Sequence, residues 1–210
     1  MSEDGAASPR EGALIPIRRS WRPAVVATRR YVRRMRSRSA PANRLNWVSI
    51  GWSGLGAFLG LLLIQAIGAW GLPVEGLFLI GSFGASAVLI YGAPLADLSQ
   101  PRHLIGGHVV SAVVGVAVAF LARTSPAIAW MAPALAVSLA IMAMHGSRTL
   151  HPPGGATALI AVIGGEPIRR LGWWYVLCPV LIAALAMLVV ALAVNNLSTR
   201  SDRHYPRYWW

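Results

Sequence analysis

The chain has no lysine; all 19 basic residues are arginine. It has one cysteine, Cys178, so no internal disulfide can form and a thiolate metal site finds no support. It has seven carboxylates, and none falls inside a long apolar run. That scarcity counts against paired acid–base catalysis, carboxylate metal sites and a cation pathway through the spans. No His-Glu-x-x-His occurs. Ser147-Arg148…His151 hints at phosphatase-like chemistry, but the spacing is short and no partner lysine exists. An intramembrane enzyme acting on a phosphate or lipid substrate is therefore the second reading and a structural membrane partner the third, and nothing calls for a cofactor or a metal.

What the chain has is apolar length. Of 210 residues 56% are hydrophobic and 12% charged, with the charges outside the apolar runs, which makes this an all-α polytopic membrane protein. Residues 1–44 hold 11 arginines and three acids, a balance of +8 out of the total of +12. An arginine-rich tail before a first span reads as a cytoplasmic segment drawn to anionic lipid headgroups, rather than as a nucleic-acid arm. Val25-Val26-Ala27 and Tyr31-Val32 interleave with its arginines, which suits a short amphipathic surface helix. Residues 45–196 form the membrane domain, and 197–210 a basic, aromatic tail.

The apolar segments fall at about 47–71, 77–95, 104–122, 127–144, 154–164 and 173–194. Gly56 and Gly60 form a small-xxx-small pair on the first. That face serves equally for packing inside one protomer or in a homo-oligomer. Asp97 is placed to pair with Arg102 across a polar loop.

One stretch breaks the apolar pattern: Met144-His145-Gly146-Ser147-Arg148-Thr149-Leu150-His151-Pro152-Pro153-Gly154-Gly155-Ala156-Thr157. Irregular backbone at membrane depth is tolerated only where protein buries it or water reaches it. Proline suits the first turn of a helix, so a short helix begins here, with the N–H groups of Gly154, Gly155 and Ala156 at its positive end. Such an end favours an anion, and Arg148 and His151 lie just ahead of it. An idle solvated loop is the plainer alternative.

His151-Pro152-Pro153 followed by Gly154-Gly155-Ala156-Thr157-Ala158-Leu159 resembles the signature of the HPP family of integral membrane proteins. Ser82-Phe83-Gly84-Ala85-Ser86 through Gln100-Pro101-Arg102-His103-Leu104-Ile105-Gly106-Gly107-His108 is similar to that family as well, and the likeness covers about 45–196. The resemblance implies a small multi-span protein of the bacterial inner membrane, in a family with members associated with nitrite transport. Some relatives carry CBS domains after the spans; this chain, ending at Trp210, is not expected to.

The chain also repeats. Gly84-Ala85-Ser86-Ala87-Val88-Leu89-Ile90 aligns with Gly155-Ala156-Thr157-Ala158-Leu159-Ile160-Ala161 at an offset of 71. Two three-segment repeats follow, about 47–122 and 127–196, each with a Gly/Pro-broken helix. Broken segments at matching places point to a transport site between the halves. Re-entrant broken segments would leave four full crossings and parallel halves; with three crossings each, the halves are instead inverted and both termini are cytoplasmic. The positive ends of the two broken helices are then expected to meet near the midplane. The expected anion site comprises Arg148, His151, Pro152, Pro153, Gly154, Gly155 and Thr157 from one repeat, and Ser82, Gly84 and Ser86 from the other. His145 and His108 are candidates for passing a proton.

Overall fold

Long runs without charge set the architecture, and proline sets its boundaries. A computed structural model of the chain describes Tyr31, Arg34, residues 46–69 and residues 81–210. The amphipathic tail, Trp70 and the loop around Glu75 lie outside the described residues. Among the described residues, seven helices carry the fold: α1 Trp47–Ala69, α2 Gly81–Ala87, α3 Pro101–Leu121, α4 Pro126–Gly146, α5 Pro152–Ile163, α6 Gly165–Leu171 and α7 Ile182–Leu197. Pro101, Pro126 and Pro152 each open a helix, where a missing N–H costs nothing. Wide turns extend α2 through Val88–Gly92 and precede α7 at Val176–Leu181, where Cys178 is extended (φ −135°, ψ 115°).

Among the described residues, four helical stretches are long and apolar enough to cross a membrane; Gly81–Gly92 and Pro152–Ile163 are shorter. Twelve residues of helix rise about 18 Å against a hydrocarbon core of about 30 Å. The protein is a multi-pass helical membrane protein, with a lipid bilayer as its surroundings.

Hydrogen bonds give the direction of each segment. One end gathers Ser49, Tyr91 and Asn195, all bonded to Arg203. It also holds Ser99, which accepts from Tyr205, and Ser147, which accepts from Arg102. The other end gathers Phe120, Arg123, Glu166 and Trp173. So α1 leaves the shared end, α2 arrives back at it and α3 leaves it again. Then α4 arrives, α5 leaves and α7 arrives. The first three segments and the last three run in opposite senses, and residues 46 and 210 lie at the same end.

Gly56 and Gly60 are spent inside the protomer. A Cβ at Gly56 would lie 2.7 Å from Cδ1 of Tyr91, and one at Gly60 would collide with the Tyr91 hydroxyl. The Tyr91 ring fills the groove these glycines leave and donates to the Met187 carbonyl at 3.1 Å, tying α1 and α2 to α7.

Residues 198–208 fold back across the shared end. Arg203 is buried there and Tyr205 donates to the Ser99 carbonyl at 2.9 Å. Asp97 pairs with Arg207, at 3.3 Å, and not with Arg102 as expected. Arg102 instead donates to the Ser147 carbonyl at 3.0 Å, because the incoming end of α4 lies beside the first turn of α3.

Candidate functional site

The site is built on a glycine shelf. A Cβ at Gly106 would lie 2.5 Å from Cγ2 of Thr149. One at Gly107 would strike Cβ of His151 and come within 2.8 Å of the Thr149 carbonyl. Only a bare backbone lets Thr149-Leu150-His151 lie flat on α3. His151 is the residue before α5, extended at φ −135°, ψ 108°, and is fully buried. Its Nδ1 lies 2.8 Å from the Leu98 carbonyl and its Nε2 3.0 Å from Oγ of Ser86.

Ser86 leads to the centre. Its Oγ is 2.7 Å from Nε2 of His108, and Nδ1 of His108 is 2.7 Å from Oγ1 of Thr157. Ser86 and Thr157 are the positions related by the 71-residue offset. The two broken helices therefore present matching hydroxyls to the two nitrogens of one imidazole. His108, Ser86, Thr157 and His151 are all fully buried, and Phe83 packs on the His108 ring at 4.8 Å.

With both rings neutral, proton positions follow from what each partner can do. The Leu98 carbonyl only accepts, so His151 carries its hydrogen on Nδ1. Its Nε2 then accepts from the Ser86 hydroxyl. Ser86 Oγ accepts from Nε2–H of His108, and Nδ1 of His108 accepts from Thr157. Every ring nitrogen is satisfied. Each hydroxyl also has an alternative acceptor one turn back: Ser82 O at 3.2 Å and Pro153 O at 3.4 Å. If the Thr157 hydroxyl rotates toward the Pro153 carbonyl, it accepts from Nδ1–H of a doubly protonated His108, while Ser86 already accepts from Nε2–H, with no heavy-atom movement. The cluster can therefore hold one extra proton.

The other expected residues fall in two places. Ser82 and Ser111 are fully buried nearby, with hydroxyls that have no partner among the described residues. Gly84 is exposed, with nothing within 4 Å of a Cβ placed there. Pro153, Gly154 and Gly155 are buried and Pro152 is exposed. A Cβ at Gly154 would lie 2.7 Å from Ser111 Oγ and 2.9 Å from the Gly107 carbonyl, so α3 closes over the start of α5. The N–H of Gly154 is bonded to the His151 carbonyl at 2.8 Å. The positive ends of the broken helices do not meet. The helices pass antiparallel at Ser86 and Thr157, so their starts lie on opposite sides of His108.

Arg148 and His145 are exposed and line a separate cavity of about 430 Å³ at the shared end, with Arg102, His103, Leu98 and Tyr208. His151 is bonded to the Leu98 carbonyl, so the buried cluster lies directly behind this cavity wall. Arg148 holds a left-handed backbone, φ 56°. It terminates α4, with its own N–H on the His145 carbonyl and that of Thr149 on the Met144 carbonyl. Glycine normally takes this position, and a side chain there costs roughly 1 kcal/mol. Arg148→Gly is accordingly expected to raise stability by about 0.5–1 kcal/mol. Thermal unfolding checks this; a variant that loses stability removes the strain from the account.

Gly107→Val tests the shelf. It is expected to displace His151 from Ser86, cost about 1–3 kcal/mol and abolish function. Unchanged melting would show that the loop has room to rise.

Residues 42–206 match the transmembrane region of the HPP family. This chain belongs to the HPP family. Two curated transmembrane proteins of Dictyostelium discoideum are similar to it. One is 47% identical over 169 residues, covering 80% of this chain and 53% of the relative. The other is 48% identical over 162 residues, covering 77% and 56%. The HPP chain thus spans about half the length of the curated relatives it matches. No solved structure matches it. The His-Pro-Pro of the family's name is here the element that pins His151 between Leu98 and Ser86.

Proposed function

We propose that this HPP chain carries a small monovalent anion across the membrane together with a proton, with nitrite the leading candidate. The observation behind this reading is the single imidazole of His108 clamped by matching hydroxyls from two inverted half-helices. Inverted repeats with broken helices place transport sites at such crossings. Neither α5 nor the stretch of α3 from His103 to Leu121 contains an arginine or a carboxylate. A fixed charge at the centre would hold an anion too tightly to release it. A charge that arrives as a proton on His108 leaves with the anion. Arg102 and Arg148 gather anions at the cavity, and the Ser82 and Ser111 hydroxyls are donors for one that has entered. We place the shared end, with residues 46 and 210, on the cytoplasmic side, following the arginine balance.

The test is uptake of nitrite, formate, nitrate and chloride into proteoliposomes under an imposed pH gradient. Nitrous acid crosses bare lipid, so rates are read against protein-free vesicles. Saturable nitrite uptake driven by the gradient is the expected result. Uptake indifferent to the gradient would keep the anion and remove the proton. Rates equal to protein-free vesicles for all four anions would overturn the proposal.

A further inference from the structure

At the far end, α3, α5 and α6 leave a second cavity, of about 490 Å³. Its floor is apolar: Val116 and Phe120 from α3, Ala161 from α5 and Ile168 from α6. Its rim carries Arg123, Arg169 and Arg170 with one carboxylate, Glu166. Glu166 is shared between Arg169 at 3.3 Å and Arg170 at 3.0 Å. The Arg170 hydrogen bond holds the Glu166 carboxyl below its ordinary value, so the pair persists at neutral pH. Arg123 has no carboxylate partner among the described residues. The rim therefore keeps a net positive charge.

Two further facts place the cavity. Trp173 and Trp174 are 54% and 68% exposed, and Trp173 stacks on Phe120 at 6.0 Å. Exposed tryptophans at a span end mark headgroup depth. Between the cavity and His108 the helices touch: a Cβ at Gly115 would lie 2.6 Å from the Ala158 carbonyl and 2.8 Å from Cβ of Ala161. In this structure the cavity is thus shut off from the histidine cluster.

A small inorganic anion would satisfy the rim and leave the apolar floor against water. A ligand with an anionic phosphate and attached hydrocarbon satisfies both, and basic pockets between spans suit such headgroups. We infer that this cavity binds an anionic phospholipid, its phosphate at Arg123, Arg169 and Arg170 and its first acyl carbons over Val116, Phe120 and Ile168.

The full chain in neutral detergent, titrated with phosphatidylglycerol, phosphatidylcholine of the same chains or inorganic phosphate, tests this by thermal shift. A saturable rise in melting temperature with phosphatidylglycerol alone is expected. The arginine-rich tail also attracts anionic lipid, so variants of the rim decide the site. Arg123→Gln with Arg170→Gln should weaken the response roughly tenfold or more. Glu166→Gln, at an exposed position, should strengthen it by releasing two guanidinium groups. An equal response to phosphatidylcholine, or a phosphatidylglycerol response unmoved by both sets of changes, would overturn the inference. A response to phosphate matching that to phosphatidylglycerol would reassign the cavity to free anions and overturn it equally.

Discussion

Arg203→Leu is expected to destabilise the bundle by about 2–4 kcal/mol. The guanidinium donates to Ser49 O at 3.0 Å, Ser53 Oγ at 3.1 Å, Tyr91 O at 2.7 Å and Asn195 Oδ1 at 2.9 Å. It has no carboxylate within ion-pair distance among the described residues, and burial lowers its pKa against a smaller opposing pull from Asp202. Replacing a buried charge by a hydrocarbon can be neutral when both partners of a pair go together. Here only one goes. Tyr91 O and Asn195 Oδ1 stay buried with a partner lost, at about 1–3 kcal/mol each, less what water recovers. The ends of α1, α2 and α7 also lose their common tie. Thermal unfolding of the purified protein, followed by tryptophan fluorescence, should show the loss, with Arg203→Lys falling between. A leucine variant within about 0.5 kcal/mol of the parent would mean the carbonyls find water at once.

The second large effect is on transport and leaves the fold nearly untouched. His108→Leu keeps the volume of the side chain and removes both ring nitrogens. Thr157 then turns to Pro153 O, which already lies at 3.4 Å, and Ser86 keeps donating to Nε2 of His151 at 3.0 Å. The stability cost should stay near 1 kcal/mol, the net worth of a typical hydrogen bond. Gradient-driven anion uptake should fall about a hundredfold, since the imidazole held by hydroxyls of both half-helices is gone. His145→Leu, at the exposed cavity wall, should leave gradient dependence intact. Folded His108→Leu protein with full gradient-driven uptake would remove this residue from the mechanism.

Much of this was written in local letters. Apolar length placed α1, α3, α4 and α5 to within about three residues at each end, whereas the helix Gly165–Leu171 was expected as a closing loop and α7 begins later than expected, at Ile182. The 71-residue repeat paired Ser86 with Thr157 before any coordinates. What the repeat could not give was depth. Aligned motifs say that two helices are equivalent, but not how far each extends past the other. Their starts were therefore expected to meet, whereas the helices overlap at mid-length. Arg203 left no signal, because an arginine in a basic, aromatic tail reads as solvated. Its burial depends on acceptors 8 to 154 residues away. The Gly106-Gly107 shelf was visible as letters, but its meaning required knowing that Thr149 and His151 lie on it. Arg148 and His151, three residues apart, were read as one site; the left-handed turn at Arg148 sends them to opposite faces of a wall.

The imidazole clamped between Ser86 and Thr157 has a genealogical consequence. A group gripped alike from both sides by equivalent residues sits where the twofold relation maps a point onto itself. Only one side chain can occupy such a point. With the two-residue slip that aligns Gly92 with Gly165, the repeat sets Leu181 opposite His108. Two identical half-length chains, joined as a symmetric dimer, would bring two imidazoles to a place with room for one. A centre of this kind is open only to halves that have become one polypeptide and ceased to be copies of each other.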